Sequence, residues 1–273
     1  MGMSKVAAQV LDRVAPQLAA NMRCWRYQRE LTDIFDRLVA ENGGSVLSGP
    51  FRGMAYASAG IPGAMAYRYT SVPKLLGCYE MELHGVVKQT LTAGYDTILD
   101  VGCAEGYYVA GLARLLPRAH VFAFDINPAA RGLCQKMAEV NGVETRVTVL
   151  GECTPAEIGR LSSGKTLIVS DCEGHELNLL QPGLAPGLRH CDVLVELHPH
   201  VDASIATEIP NRFAATHSMT MLHGQPRDLG SFPALSGFSD RAKRLAVSEF
   251  REGVAPWAFF ASQETSKAMC KRG

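Results

Sequence analysis

The chain has 273 residues, 47% of them hydrophobic and 20% charged, enough to bury a sizeable core and too apolar for gross disorder. Lys plus Arg (27) equals Asp plus Glu (27), which excludes the basic footprint of a nucleic-acid binder and suits a small, roughly neutral substrate. Eight cysteines without a CxxC pair or metal-finger spacing read as reduced thiols of a cytoplasmic protein.

The N-terminal "VAAQVLDRVAP" is interrupted by Asp12 and Arg13, unlike a signal peptide, and no apolar run reaches membrane-spanning length. Residues 3–41 carry a helical pattern: Leu31, Phe35, Leu38 and Val39 recur at helical spacing, Pro16 starts or kinks a segment, and Gly43-Gly44 ends it. Residues 49–69, rich in glycine and aromatics, predict short strands and loops, and 72–94 return to helix. Residues 1–92 are thus expected to form a helical cap or oligomerisation region, a candidate homodimer contact, ahead of a second domain at 93–273. Glu80 and Glu82 are assigned to helix packing and surface, with Tyr79 and Glu80 left open as active-site residues.

From residue 94 strands and helices alternate. "TILDVG", "HVFAFDI", "RVTVLGE", "TLIVSD" and "DVLVELH" read as strands, each followed by a helical stretch, and 218–223 and 254–261 supply two more. Short continuous apolar strands in βα units predict an open, mostly parallel, seven-stranded Rossmann-like α/β sheet with helices on both faces. The Gly/Pro/Ser-rich segment 224–241 is expected to be a loop over the substrate.

In such sheets ligands sit outside the carboxyl ends of the strands. The first strand ends in "DVGCAEGYY". Its small residues Gly102, Ala104 and Gly106 allow a tight turn and close approach of a ligand, and the helix beginning at Gly106 can hold an anionic group. The second strand ends in Asp125, about 20 residues on, where an acid commonly pairs with ribose hydroxyls. The turn departs from GxGxxG, with Tyr107 and Tyr108 where a pyrophosphate would lie, and together with the second-strand acid the pattern suits a nucleoside-bearing cofactor.

These motifs, with "VTVLGEC", resemble the S-adenosylmethionine-dependent methyltransferases of the Rossmann-like class. "DCEGHELNLL" and "DVLVELH" are most like the FkbM-type group, many of which methylate hydroxyls of sugars and natural products. "GPFRGM" and "PKLLGCYEMEL" resemble upstream segments of bacterial members. The resemblance is strong over 97–200, patchy over 49–90 and absent over 1–45 and 225–250. It implies that the turn Gly102–Gly106, with Ala104, holds the methionine part of the cofactor, and that Asp100 and Tyr107 also bind the cofactor. Asp125 would take the ribose and Ile126 the adenine face, with Glu152 and the Cys153 amide at the adenine edge.

The fourth strand runs into "SDCEGHE" (170–176), and the fifth into "VELHPH". Neighbouring strand ends lie about 5 Å apart, which brings Asp171, Glu173, His175, Glu196 and His198 toward one place, with His200 beyond Pro199. An alcohol needs help to attack a methyl group. The candidates are a histidine base, His175 or His198 beside Asp171, and a divalent metal (Mg, Mn or Fe) on Asp171, Glu173, Glu196 and His198. Glu176 is assigned only to the positive start of a helix. The expected activity is O-methylation of a small-molecule substrate, with no nucleic-acid or membrane partner. An N- or C-methyltransferase and a non-catalytic cofactor-binding scaffold remain the alternatives.

Overall fold

The computed structural model describes residues 16–57, 68–250 and 255–263. The expectations for 1–15 and for 58–67 of the glycine-aromatic stretch lie outside the described residues. The elements in chain order are α1 (Pro16–Asn42), α2 (Arg68–Leu76), α3 (His84–Ala93), β1 (Thr97–Val101), α4 (Tyr107–Leu115), β2 (His120–Phe124), α5 (Pro128–Val140), β3 (Val147–Leu150), α6 (Pro155–Leu161), β4 (Thr166–Ser170), α7 (Glu176–Leu179), β5 (Asp192–Glu196), α8 (Ile205–Phe213), β6 (His217–Leu222), α9 (Asp240–Ala246) and β7 (Trp257–Ser262).

One seven-stranded sheet has the order β3-β2-β1-β4-β5-β7-β6. The first five strands are parallel, and β7 is antiparallel to both β5 and β6. This is the Rossmann-like sheet expected from the strand pattern. Every residue of β1, β4 and β5 is buried, which is why their sequences are continuous apolar runs. Successive side chains feed opposite faces. Ile98, Val121 and Leu167 join one core with α4 and α5, whereas Leu99, Ile168 and Val193 join the other with α6 and α8.

The N-terminal region shares the first of these cores: Leu31, Ile34 and Leu38 of α1 lie in the same hydrophobic cluster as Val121 and Val169. The helix read over 72–94 is two helices. Gly77 (φ 75°) and Glu80 (φ 47°) adopt left-handed backbone between them and turn the chain back. The loop of 224–241 carries two short 3-10 turns and leads into α9. That helix is tied to α1 by Arg241, whose Nε and Nη2 donate to Glu30 at 3.1 and 2.9 Å. The six cysteines whose side chains are described are free thiols, and among the described residues no helix is long and apolar enough to cross a membrane.

Order reverses between β1 and β4, and the chain exits there almost touch. Gly102 has φ 87°, and a Cβ on it would lie 1.7 Å from the Asp171 carbonyl oxygen. Gly102→Ala is therefore expected to lower stability by about 3 kcal/mol or more, read as a fall in the denaturant midpoint. An unchanged midpoint would contradict this close approach.

Candidate functional site

The turn after β1 is stitched to its neighbours by backbone bonds. Gly102 and Cys103 both donate to the Phe124 carbonyl at 2.9 Å, and Asp171 donates to the Val101 carbonyl at 2.9 Å. Asp125 closes the turn from β2: its Oδ2 accepts from the Ala104 amide at 3.0 Å and its Oδ1 from the Asn127 amide at 2.8 Å. Each carboxylate oxygen keeps acceptor capacity for a further donor. Ile126, next in the chain, is 80% exposed, an apolar side chain presented to solvent beside an acid.

Asp100 ends β1 with its carboxylate buried, and Oδ2 has no hydrogen-bond partner among the described residues. Burial, and then the charges of Asp171, Asp125, Glu80 and Glu105, push its pKa up to about 8. A buried acid raised by four other acids marks a place that a cationic ligand group would relieve.

Two of those acids come from packing against the N-terminal region. Glu105 is fully buried, bonded to Lys74 Nζ at 2.5 Å and to the Tyr56 hydroxyl at 3.1 Å. Glu80 is 1% exposed, its Oε2 accepts from the Tyr108 hydroxyl at 2.5 Å, and its amide donates to Glu249 at 2.9 Å. Glu80 is thus no surface residue. Helical propensity could not reveal this, because the residue sits in a left-handed turn.

The second half of the site surrounds His198, which is 3% exposed. Its Nδ1 lies 2.6 Å from Glu176 Oε1. Its Nε2 faces Asp171 at 3.5 Å, Glu173 at 3.6 Å and Glu196 at 3.7 Å. Burial disfavours protonation of the ring, but the hydrogen bond to Glu176 and the charges of Glu176, Asp171 and Glu173 outweigh it and raise the His198 pKa. Glu176 moves the complementary way: burial opposes ionisation, yet the bond to His198 and the backbone amides of Glu176 and Gly174 lower its pKa. Such a charge-assisted bond contributes about 1.5–3 kcal/mol.

Backbone geometry makes this possible. Glu173 (φ 52°) and Gly174 (φ 99°) are both left-handed, and a Cβ on Gly174 would strike Val201 at 2.6 Å. The chain folds back over two residues, so Glu176 enters the interior while Glu173, its side chain 81% exposed, stays at the mouth. One ligand atom each from Asp171, Glu196 and His198 lies within 4.8 Å of the others. Atoms sharing one small cation at about 2.1 Å stand roughly 3–4 Å apart, and the distances of 3.5 Å and 3.7 Å from His198 Nε2 to Asp171 and Glu196 fall in that range.

The structure thus brings Asp171, Glu173, Glu196 and His198 together, and it places Asp100, Gly102, Ala104, Gly106 and Asp125 around one turn. His175 does not join them. It is exposed, and its ring nitrogen lies 3.4 Å from the Asn178 amide. His200 is exposed too, its ring edge-on to His198 at 5.5 Å. The Tyr107 ring turns away from the turn, packing against Phe51, Tyr56, Tyr79 and Tyr108, with its hydroxyl donating to the Lys74 carbonyl at 3.4 Å. Glu152 is exposed, and the Cys153 side chain is buried in the α6–α8 core. The residue that the sequence missed is Glu176. Its spacing from Asp171 suits a helix start, and only the left-handed Glu173-Gly174 pair turns it inward.

No family model matches the chain. The release factor glutamine methyltransferase of Moorella thermoacetica is 46% identical over 54 residues, a stretch that is 20% of this chain and 19% of that protein. Among solved structures, the O-methyltransferase TomG of Streptomyces achromogenes, in complex with S-adenosylmethionine, is 12% identical with a TM-score of 0.48 over 68% of this chain and 81% of that one. The O-methyltransferase of Bacillus cereus, in complex with S-adenosylhomocysteine, is 12% identical with a TM-score of 0.46 over 94% and 97%.

Asp100 carries a pH signature. Its folded pKa of about 8 lies above the unfolded carboxylate value, so ionisation favours unfolding, and stability falls as pH rises from about 4 through 8. Asp100→Asn is expected to remove that component, stabilising the ligand-free protein by a few kcal/mol at about pH 9 relative to pH 5. An unaltered pH 5–9 stability slope in the variant would contradict the assignment.

Proposed function

We propose that the protein is an S-adenosylmethionine-dependent O-methyltransferase of the FkbM type, acting on a hydroxyl of a small metabolite such as a sugar or natural-product intermediate. The observation that carries this reading is the meeting, where strand order reverses, of a turn suited to a cationic nucleoside and a histidine ringed by carboxylates. Residues 93–273 are read as the methyltransferase domain and 1–92 as its cap.

The residues at the turn fit the cofactor. Asp100, raised first by burial and then by four neighbouring acids, suits an ammonium group and lies in a field that favours a sulfonium. Asp125 offers its remaining acceptor capacity to the ribose hydroxyls, Ile126 its exposed face to the adenine, and Glu152 with the Cys153 amide the adenine edge. Bound there, S-adenosylmethionine supplies an activated methyl on a good leaving group. The protein then has to align the acceptor in line and take its proton.

That proton falls to the His198 cluster. A neutral imidazole that donates Nδ1–H to Glu176 turns an Nε2 lone pair toward three carboxylates, an arrangement that calls for a cation between them. Asp171, Glu196 and His198 would hold a divalent ion such as Mg, Mn or Fe(II), with Glu173 beside them, and its chemistry is to lower the pKa of a bound hydroxyl. The short Glu176–His198 bond favours a metal-free variant of the same reading as well. In it Nε2 takes the acceptor proton directly, and Glu176 stabilises the imidazolium. His175 plays no part in either form.

Calorimetric titration with S-adenosylhomocysteine tests the reading. The parent is expected to bind one equivalent, and Asp125→Ala to bind at least about tenfold more weakly, as two charge-assisted bonds are lost. No binding by the parent, or equal binding by the variant, would sink it.

A further inference from the structure

A cavity of about 620 Å³ lies apart from the residues placed around the cofactor turn and the His198 cluster, lined by Glu82, His223, Arg227, Arg244, Glu249 and Phe250 among others. It opens on the same edge of the sheet as both. Leu222 of β6 pairs in register with Trp257 of β7, and Trp257 with Glu196 of β5. His223 therefore begins one residue beyond the row that contains Glu196, two strand spacings or about 10 Å to the side. Ala255, also on the cavity wall, precedes Pro256, whose carbonyl accepts from the Leu197 amide at 2.9 Å. That amide is one residue from His198. On the opposite wall, Glu249 accepts from the Glu80 amide, and Glu80 from the Tyr108 hydroxyl at the start of α4. The cavity is thus joined by short bonded paths to both halves of the proposed catalytic site.

Its two acids and two arginines are equal in number but unevenly paired. Glu82 and Glu249 both face Arg227: Nη2 bonds Glu249 and lies 3.6 Å from Glu82, and Nη1 donates to the Gln225 carbonyl at 2.6 Å. The Arg227 Nε–H is buried and has no acceptor among the described residues. Arg244, on α9, is exposed and has no ion-pair partner among the described residues. Glu249 is therefore engaged, Glu82 stands within ion-pair reach of Arg227 but keeps a buried Oε2 without a hydrogen-bond partner among the described residues, and the Arg244 guanidinium remains to be met. A guanidinium in that position selects planar or tetrahedral oxyanions, which it can bind by two parallel bonds. Phe250 adds an apolar surface beside them.

We infer that this cavity receives the methyl acceptor, and that the acceptor carries an anionic group, a carboxylate or a phosphate, held by Arg244 while its hydroxyl reaches the His198 cluster. The inference rests on the methyltransferase reading for the fate of that hydroxyl, but anion recognition stands on the cavity alone. It narrows the substrate class from hydroxylated metabolites to hydroxylated acids, and gives the segment that connects β6 to α9 a specificity role.

The test uses matched probes: 3,4-dihydroxybenzoate against 3,4-dihydroxybenzamide for the carboxylate, and glucose 6-phosphate against glucose for the phosphate. Each is titrated calorimetrically into the full-length protein with S-adenosylhomocysteine present. At least one acid is expected to bind tenfold or more tightly than its neutral partner. Arg244→Ala should erase that preference without changing affinity for the neutral compound, and Arg244→Lys should restore part of it. The inference is overturned if neither acid is preferred over its partner, or if Arg244→Ala keeps the preference. Binding of S-adenosylhomocysteine alone is measured in the same series. Its failure would count against the methyltransferase reading while leaving the acid preference to be judged by itself.

Discussion

Mutual repulsion among carboxylates is the constraint around which this molecule is arranged. Asp100, Asp125 and Asp171 lie at the ends of three adjacent strands, Glu105 is packed against the N-terminal region and Glu80 comes from it, and Glu173 and Glu196 stand beside His198. Folding gathers these acids because strand ends at a switch point converge. Lys74 meets Glu105, and backbone amides and a tyrosine meet Asp125 and Glu80. The acids converge on two places, one beside the orphaned Asp100 Oδ2 and one facing His198 Nε2. A sulfonium-bearing cofactor and a proton or divalent ion are the complements that such an edge calls for.

The scaffold holds this unfavourable arrangement by spending packing elsewhere. The parallel strands are buried throughout, and their two faces feed separate apolar cores. The Gly102–Asp171 approach fixes the distance between the two halves of the site, since any side chain at 102 would separate them. The N-terminal helices are part of the same construction: α1 and α2 share a core with the sheet, and the buried Lys74–Glu105 pair locks the turn after β1 to α2. Removing one member of such a pair would leave a buried charge uncompensated, a loss of about 3–5 kcal/mol.

The fold was legible in the sequence because it is written in local patterns. Seven short apolar runs and the intervening helical stretches appear where the alternation put them, and Gly102 and Asp125 stand at strand ends as expected. Asp171, Glu196 and His198 could be brought together from strand adjacency alone. What the sequence hid depends on backbone turns of low intrinsic preference. The left-handed Glu173-Gly174 pair inverts the roles of His175 and Glu176, sending the first to solvent and the second to His198. Left-handed Glu80 likewise becomes a buried acid instead of a surface one. Tyr107 misled for another reason: its neighbours in the fold, Phe51, Tyr56 and Tyr79, lie far away in the chain and draw its ring into their cluster.

The claim that joins these observations is that Glu176 orients His198 so that Nε2 and its carboxylates accept a cation. Calorimetric titration of Mn2+ into the metal-stripped protein tests it most directly. The parent is expected to bind one equivalent, with affinity falling about 10–100-fold in Glu176→Gln, where the group that orients the ligand is lost. Absence of Mn2+ binding in the parent, or equal binding by Glu176→Gln, would contradict the account.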